Sequence, residues 1–189
     1  SGLRVTEILP TLEDGGSLLD CQVADQACVK GLDVAASIEM SQADVVVECT
    51  YSNLDTGEPA AGYIRQALNL RKHVVTSNKG AVALHFRELR DLARASGTRF
   101  LFGGTLMSGT PILNVMSSSF RIDEVLELRS LLNVSTNYIL GAMEQGRSFE
   151  DAQAEAEEMA LLEANPELDL EGYDAVAKLV ILINLLTGT

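Results

Sequence analysis

Between residues 43 and 102, short apolar runs rich in β-branched residues alternate with segments of helical period, and that alternation restricts the chain to few folds. Residues 43–50, Ala-Asp-Val-Val-Val-Glu-Cys-Thr, suit a strand covered on both faces, with Thr50 at its carboxyl end. A helical pattern follows over 58–70, then a strand over 73–76, a helix over 81–96 closed by Gly97, and a third strand over 99–102. Strand, helix, strand, helix, strand with short links predicts a parallel sheet with right-handed crossovers, in which ligands gather beyond the carboxyl ends of the strands. Asn78 and Lys79 directly follow the second strand and so fall on that edge, although a lysine in a surface turn is the plainer reading. Residues 1–40 show no sustained period and are interrupted by Pro10, Gly15, Gly16 and Gly31, which predicts loops with one short helix.

The order of elements changes at Gly103-Gly-Thr-Leu-Met-Ser-Gly-Thr-Pro111, a small-residue loop that lets backbone approach a ligand and leads into an apolar helix. Residues 122–132 alternate partly and read as a strand. A short helix from Asn133 to Gly146 follows, then a helix over 149–162 that Ser148 caps. Pro166 forces a turn after Asn165, Asp169 is available as the next N-cap, and a helix runs over 170–187 to a stop at Gly188. The fold class is therefore α/β: a partial doubly wound parallel-sheet unit over 1–102, then a mixed α/β unit over 103–189.

The last helix concentrates the chemistry. Asp174 and Lys178 lie four apart on one face, and the run after Lys178 is apolar nearly all round, as in a helix sunk in protein. An exposed pair of this kind contributes only about 0.3–0.5 kcal/mol. In apolar surroundings a carboxylate one turn away instead holds the ammonium in place for proton transfer. Glu163 and Asp169 flank the preceding turn and could bind a cationic group such as an amino-acid amine, though helix-end placement alone accounts for them.

Composition removes several alternatives. The 189 residues carry a net charge of −13, against a nucleic-acid or anionic-membrane surface. Cys21, Cys28 and Cys49 lack zinc spacing and read as free thiols of a reducing compartment, His73 and His85 as structural. The apolar run after Lys178 is shorter than the roughly 20 residues that span a bilayer, and no secretory signal opens the chain, so cytoplasm is the expected location. No Walker loop, Gly-x-Ser-x-Gly elbow or Gly-x-Gly-x-x-Gly turn is present.

Six stretches in order resemble homoserine dehydrogenase: 44–50, Gly57-Glu-Pro, 73–79 (His-Val-Val-Thr-Ser-Asn-Lys), 104–111, 133–140 and 163–178. The resemblance implies a dinucleotide-binding (Rossmann-like) domain followed by a substrate and dimerisation domain, and NAD(P)-dependent interconversion of homoserine and aspartate 4-semialdehyde on the route to threonine and methionine. It implies Lys178 as proton donor or acceptor at the substrate oxygen, with Lys79 assisting and Asp174 orienting the hydroxyl or Lys178. Glu163 and Asp169 would hold the substrate amine, Ser135 would contact substrate, and Thr50, Asn78 and Lys79 would lie along NADP or NAD. The family often has a Glu at the position of Gly103, where it helps to bind a monovalent cation such as sodium; here the backbone carbonyls of Leu106, Ser108 and Thr110 would be its ligands. The missing glycine turn, and an end at Thr189 short of the family's closing segments, imply a partial chain. The expected partners are a small-molecule amino acid and a second copy in a homodimer. The alternative is a non-catalytic oligomerisation or ligand-binding module that has lost cofactor binding.

Overall fold

The computed structural model describes Pro10 and residues 13–15, 31–107, 110–119, 125–162 and 166–188. Helix α1 (Val34–Met40) starts where the Asp33 carboxylate accepts from the Ala36 amide. Strands β1 (Val45–Glu48), β2 (His73–Thr76) and β3 (Phe100–Leu101) form a parallel sheet in that order, joined by α2 (Ala60–Asn69) and α3 (Lys79–Ser96). The register sets Val46 beside Val74 and Val74 beside Phe100 on one face. Beneath them pack Ala60, Ala61, Ile64, Ala67 and Leu68 of α2 with Ala81, Leu89 and Ala93 of α3. The many alanines let two helices lie close on a small sheet.

The α/β parallel-sheet expectation holds, with one difference at β1. Val45 and Val47 are exposed, as are Val75 and Leu101, their neighbours on the same face. Right-handed crossovers between strands laid down in the order 1-2-3 put both helices on one face, and no described helix covers the other.

Helix α3 has a second buried flank. Val82 and Phe86 join Leu106, Leu113, Met116, Ile181 and Leu182, so one apolar cluster contains residues from both sides of position 103. Its members come from α4 (Ile112–Ser119) and α8 (Tyr173–Thr187) as well as α3. His85 leaves helical geometry (φ −123°, ψ 18°) and kinks α3, and the Asn184 amide of α8 donates to the Ala83 carbonyl at 3.0 Å. A side chain entering the helix ladder is a recognised cause of such a kink. A third cluster, Ile139, Ala142, Ala152 and Ala156, joins α5 (Val134–Glu144) to α6 (Phe149–Glu158), where Ser148 accepts from the Asp151 amide as expected.

Three expectations change. Residues 125–132 form neither strand nor helix; Leu126 and Leu131 are exposed, and no described strand lies alongside to pair with them. Asp169 does not cap α8. It belongs to the short α7 (Pro166–Leu170), and Gly172 takes the cap position at φ 82°, a left-handed conformation open to glycine. Helix α8 is buried on one side only, through Asp174, Ala177, Ile181 and Leu182, while Val176 and Ile183 are exposed. Its end at Gly188, in the left-handed region, is as expected.

Candidate active site

The site lies where the head of α3 meets the head of α8. The edge of the sheet fixes the first of these. Asn78 is the N-cap of α3: its Oδ1 accepts from the Ala81 amide at 3.1 Å, and its Nδ2 donates to the carbonyls of Thr50 and Tyr51, each at 3.3 Å. Ser52 donates to the same Asn78 Oδ1 and accepts from the Gly80 amide at 2.8 Å. The loop after β1 is thereby tied to the first turn of α3, with Thr50 beside it and Lys79 as the first helical residue.

Lys79 reaches across to α8, where its Nζ donates to Asp174 Oδ1. Lys178 Nζ stands 2.6 Å from the other oxygen of the same carboxylate. Two ammoniums, distant in sequence, thus converge on one aspartate that is 2% exposed. Lys178 also donates to the Leu132 carbonyl at 3.0 Å and to Asn133 Oδ1 at 2.9 Å, and Asn133 Nδ2 donates to Asp169 Oδ1 at 3.2 Å. A polar chain therefore runs Lys79, Asp174, Lys178, Asn133, Asp169, with Asp174, Asn133 and Asp169 all buried. The i,i+4 spacing supplies one of these contacts; the others depend on tertiary packing.

Burial pushes the Asp174 carboxyl up, but hydrogen bonds and charge from Lys178 and Lys79 outweigh it and hold the group below its ordinary 3.8. A depressed carboxylate contributes stability that is present above the unfolded value and lost as pH falls through the folded one. The stability advantage of the parent over Asp174→Asn is therefore expected to shrink progressively below pH 3.8. Urea unfolding at stepped pH measures it, and an advantage independent of pH in that range would contradict the assignment.

The other predicted residues fall as follows. Ser135 is buried in the first turn of α5, near Asn133 in sequence. Leu106 is fully buried, and the Thr110 carbonyl accepts from the Ile112 amide at 2.8 Å. Glu163 and Ser108 lie outside the described residues, as do Cys21 and Cys28. His73 accepts from the Arg99 amide, and His85 bonds the Thr56 carbonyl, both structural contacts. Among the described residues no group of three or more His, Cys, Asp or Glu could hold a metal ion, and no helix is long and apolar enough to cross a membrane.

Sequence reasoning missed two members of this region. Asn133 opens the 133–140 stretch of family likeness, which by itself gives it no role. Glu48 has no task in the sequence pattern, yet it is 4% exposed and accepts from Thr50 and Thr76. Its signal was its phase: Glu48 follows Val46 by two residues, which puts a carboxylate on the inward face of β1.

The chemistry and placement of these residues are compatible with a dinucleotide bound at the sheet edge. Thr50 and Asn78 stand just beyond the carboxyl ends of adjacent parallel strands, and two lysines lie alongside. Glycine keeps the segment after β3 close to the end of β2: a Cβ on Gly104 would lie 3.2 Å from Ser77 Cβ. No described glycine turn follows a strand in a way that would hold a pyrophosphate.

Comparison with known proteins identifies the family. The NAD-binding-domain model of homoserine dehydrogenase matches residues 13–103, and the homoserine dehydrogenase model matches residues 111–189. The homoserine dehydrogenase of Methanocaldococcus jannaschii is 42% identical over 161 residues, covering 85% of this chain and 47% of that protein. The NAD(+)-dependent homoserine dehydrogenase of Pseudomonas canavaninivorans is 40% identical over 149 residues, 79% of this chain and 42% of that protein. A hyperthermophilic archaeal homoserine dehydrogenase solved in complex with NADPH superposes with a TM-score of 0.85 at 28% identity, covering 100% of this chain and 57% of that one. The chain thus spans about half the length of the relatives it matches. With the two family models covering its two halves in order, the chain belongs to the homoserine dehydrogenase family.

Proposed function

We propose that this chain carries the nicotinamide-side and substrate-side residues of an NAD(P)-dependent oxidoreductase that interconverts homoserine and aspartate 4-semialdehyde in amino-acid biosynthesis. The observation that carries the reading is the convergence of Lys79 and Lys178 on buried Asp174 at the carboxyl edge of a parallel sheet. A bound nicotinamide would supply the hydride to the substrate carbon or take it up. Reduction leaves negative charge on the aldehyde oxygen. Lys178 stabilises that charge and gives the proton, and Lys79 assists at the same oxygen. Asp174 holds both ammoniums in position and orients the hydroxyl. Asn133 also holds Lys178, so its Nζ is restrained by groups from two parts of the chain.

Asp169 and Glu163 take the substrate amine, Ser135 contacts substrate, and Thr50 and Asn78 border the nicotinamide. The division near 102/103, a cytoplasmic homodimer and a place on the route to threonine and methionine belong to the same proposal. The test is oxidation of NADPH or NADH by the full-length protein on addition of aspartate 4-semialdehyde, followed at the nicotinamide absorbance. Absence of both turnover and cofactor binding in a direct titration would overturn it in favour of a non-catalytic module.

A further inference from the structure

We infer that Glu48 is a positioning residue that sets the orientation of Lys79 by fixing the hydroxyls and amides at the sheet edge. The inference rests on the role given to Lys79 above. Three donors converge on the Glu48 carboxylate: the Thr50 amide at 2.7 Å and Thr50 Oγ1 at 2.5 Å on Oε1, and Thr76 Oγ1 at 2.6 Å on Oε2. No lysine, arginine or histidine among the described residues forms an ion pair with it. An unpaired carboxylate on an inward strand face is an expensive way to stabilise a fold, and an apolar side chain would pack there at less cost.

Its polarity gives the position a different use. An ionised carboxylate only accepts, so Thr76 must turn its hydroxyl proton toward Glu48. The Thr76 oxygen is then free to accept, and it takes the Asn78 amide at 2.9 Å. Asn78 in turn caps α3 and holds the Thr50 and Tyr51 carbonyls. Lys79 is the next residue, and its ammonium must cross to Asp174. Glu48 thus sets the hydroxyl directions of Thr50 and Thr76, and through Thr76 Oγ1 it fixes the place of the Asn78 amide. A glutamine in its place must either set its NH₂ against the Thr50 amide, donor against donor, or turn it to Thr76 Oγ1, whose proton then loses the acceptor that held it and whose hydroxyl must rotate. An aspartate keeps the polarity but is one methylene shorter.

The experiment compares Glu48→Gln, Glu48→Asp, Lys79→Ala and the Glu48→Gln/Lys79→Ala double variant in the full-length protein. Misplacement of a reacting group by about 1 Å costs on the order of 100-fold, so Glu48→Gln is expected to lower kcat by about 10- to 100-fold. Glu48→Asp should recover part of that loss. In the Lys79→Ala background Glu48→Gln should lower kcat by less than about threefold, since residues acting through one another are not additive. Additive losses would overturn the inference, because a merely structural role does not depend on Lys79. A second readout needs no turnover: acylation of Lys79 by an N-hydroxysuccinimide ester, followed by peptide mass spectrometry with Lys178 as internal reference. A shift of about threefold or more in the relative reactivity of Lys79 in Glu48→Gln is expected; an unchanged ratio overturns the inference even if the protein proves not to reduce aspartate 4-semialdehyde, a result that would count separately against the proposed function.

Discussion

Replacing Lys178 with alanine is expected to lower the rate of aspartate 4-semialdehyde reduction by about 10²- to 10⁴-fold, the range for a positioned general acid, while the protein stays folded. The structure explains both halves of that result. Lys178 is held by Asp174, the Leu132 carbonyl and Asn133 Oδ1, so its Nζ is already in one place before substrate arrives. Removing it deletes the proton donor but leaves Asp174 bound to Lys79. The stranded acceptors cost about 1–3 kcal/mol, a loss a domain can survive. Lys178→Arg separates charge from proton transfer, since a guanidinium keeps its positive charge but stays protonated. It is expected to remain well below the parent in kcat. Far-UV circular dichroism together with single-turnover rates checks the pair, and a Lys178→Ala protein turning over at the parental rate would remove Lys178 from the mechanism.

Gly80→Ala has the largest expected effect on stability. A Cβ at this position would sit 1.9 Å from the Asn53 carbonyl oxygen and 2.7 Å from its carbon, backbone that cannot swing aside like a side-chain tip. Relief requires the loop after β1 to move away from α3. That movement pulls on the Ser52 hydroxyl, which accepts from the Gly80 amide, and on the Thr50 and Tyr51 carbonyls held by Asn78. Overpacking commonly costs 1–3 kcal/mol; with backbone on both sides and a hydrogen-bond network attached, about 3 kcal/mol or more is expected. Gly141→Ala is the control, because nothing lies within 4 Å of its Cβ and it sits inside α5. There the substitution is expected to stabilise by roughly 0.5–1 kcal/mol. Urea midpoints for the two variants decide the matter, and equal midpoints would show that the close approach of Gly80 to Asn53 has no energetic weight.

Local pattern was enough for much of this molecule. β-Branched runs marked β1 and β2, helical period marked α2 and α3, and Ser148, Gly97 and Gly188 marked helix ends through short-range hydrogen bonding and backbone freedom. The i,i+4 spacing gave the Asp174–Lys178 contact, since an α-helix fixes that distance by itself. Errors arose where a residue's state depended on neighbours far away in sequence. Residues 125–132 have some alternation but no described strand beside them, and alternation without a partner leaves the backbone unpaired. Asp169 had the composition of a cap, yet Gly172 starts α8 and Asp169 is turned to Asn133.

The sequence alone determined the α/β order of elements, the sheet edge on which Asn78 and Lys79 stand, and one side of the lysine–aspartate contact, because each follows from periodicities of a few residues. Only the tertiary structure decided that Lys79 reaches Asp174 across a separation of 95 residues, that Asn133 holds Lys178, and that Glu48 directs the donors of Thr50 and Thr76. The reason is physical: secondary structure repeats over 2 or 3.6 residues, whereas the packing of α3 against α8 that brings two lysines to one carboxylate has no local period to read.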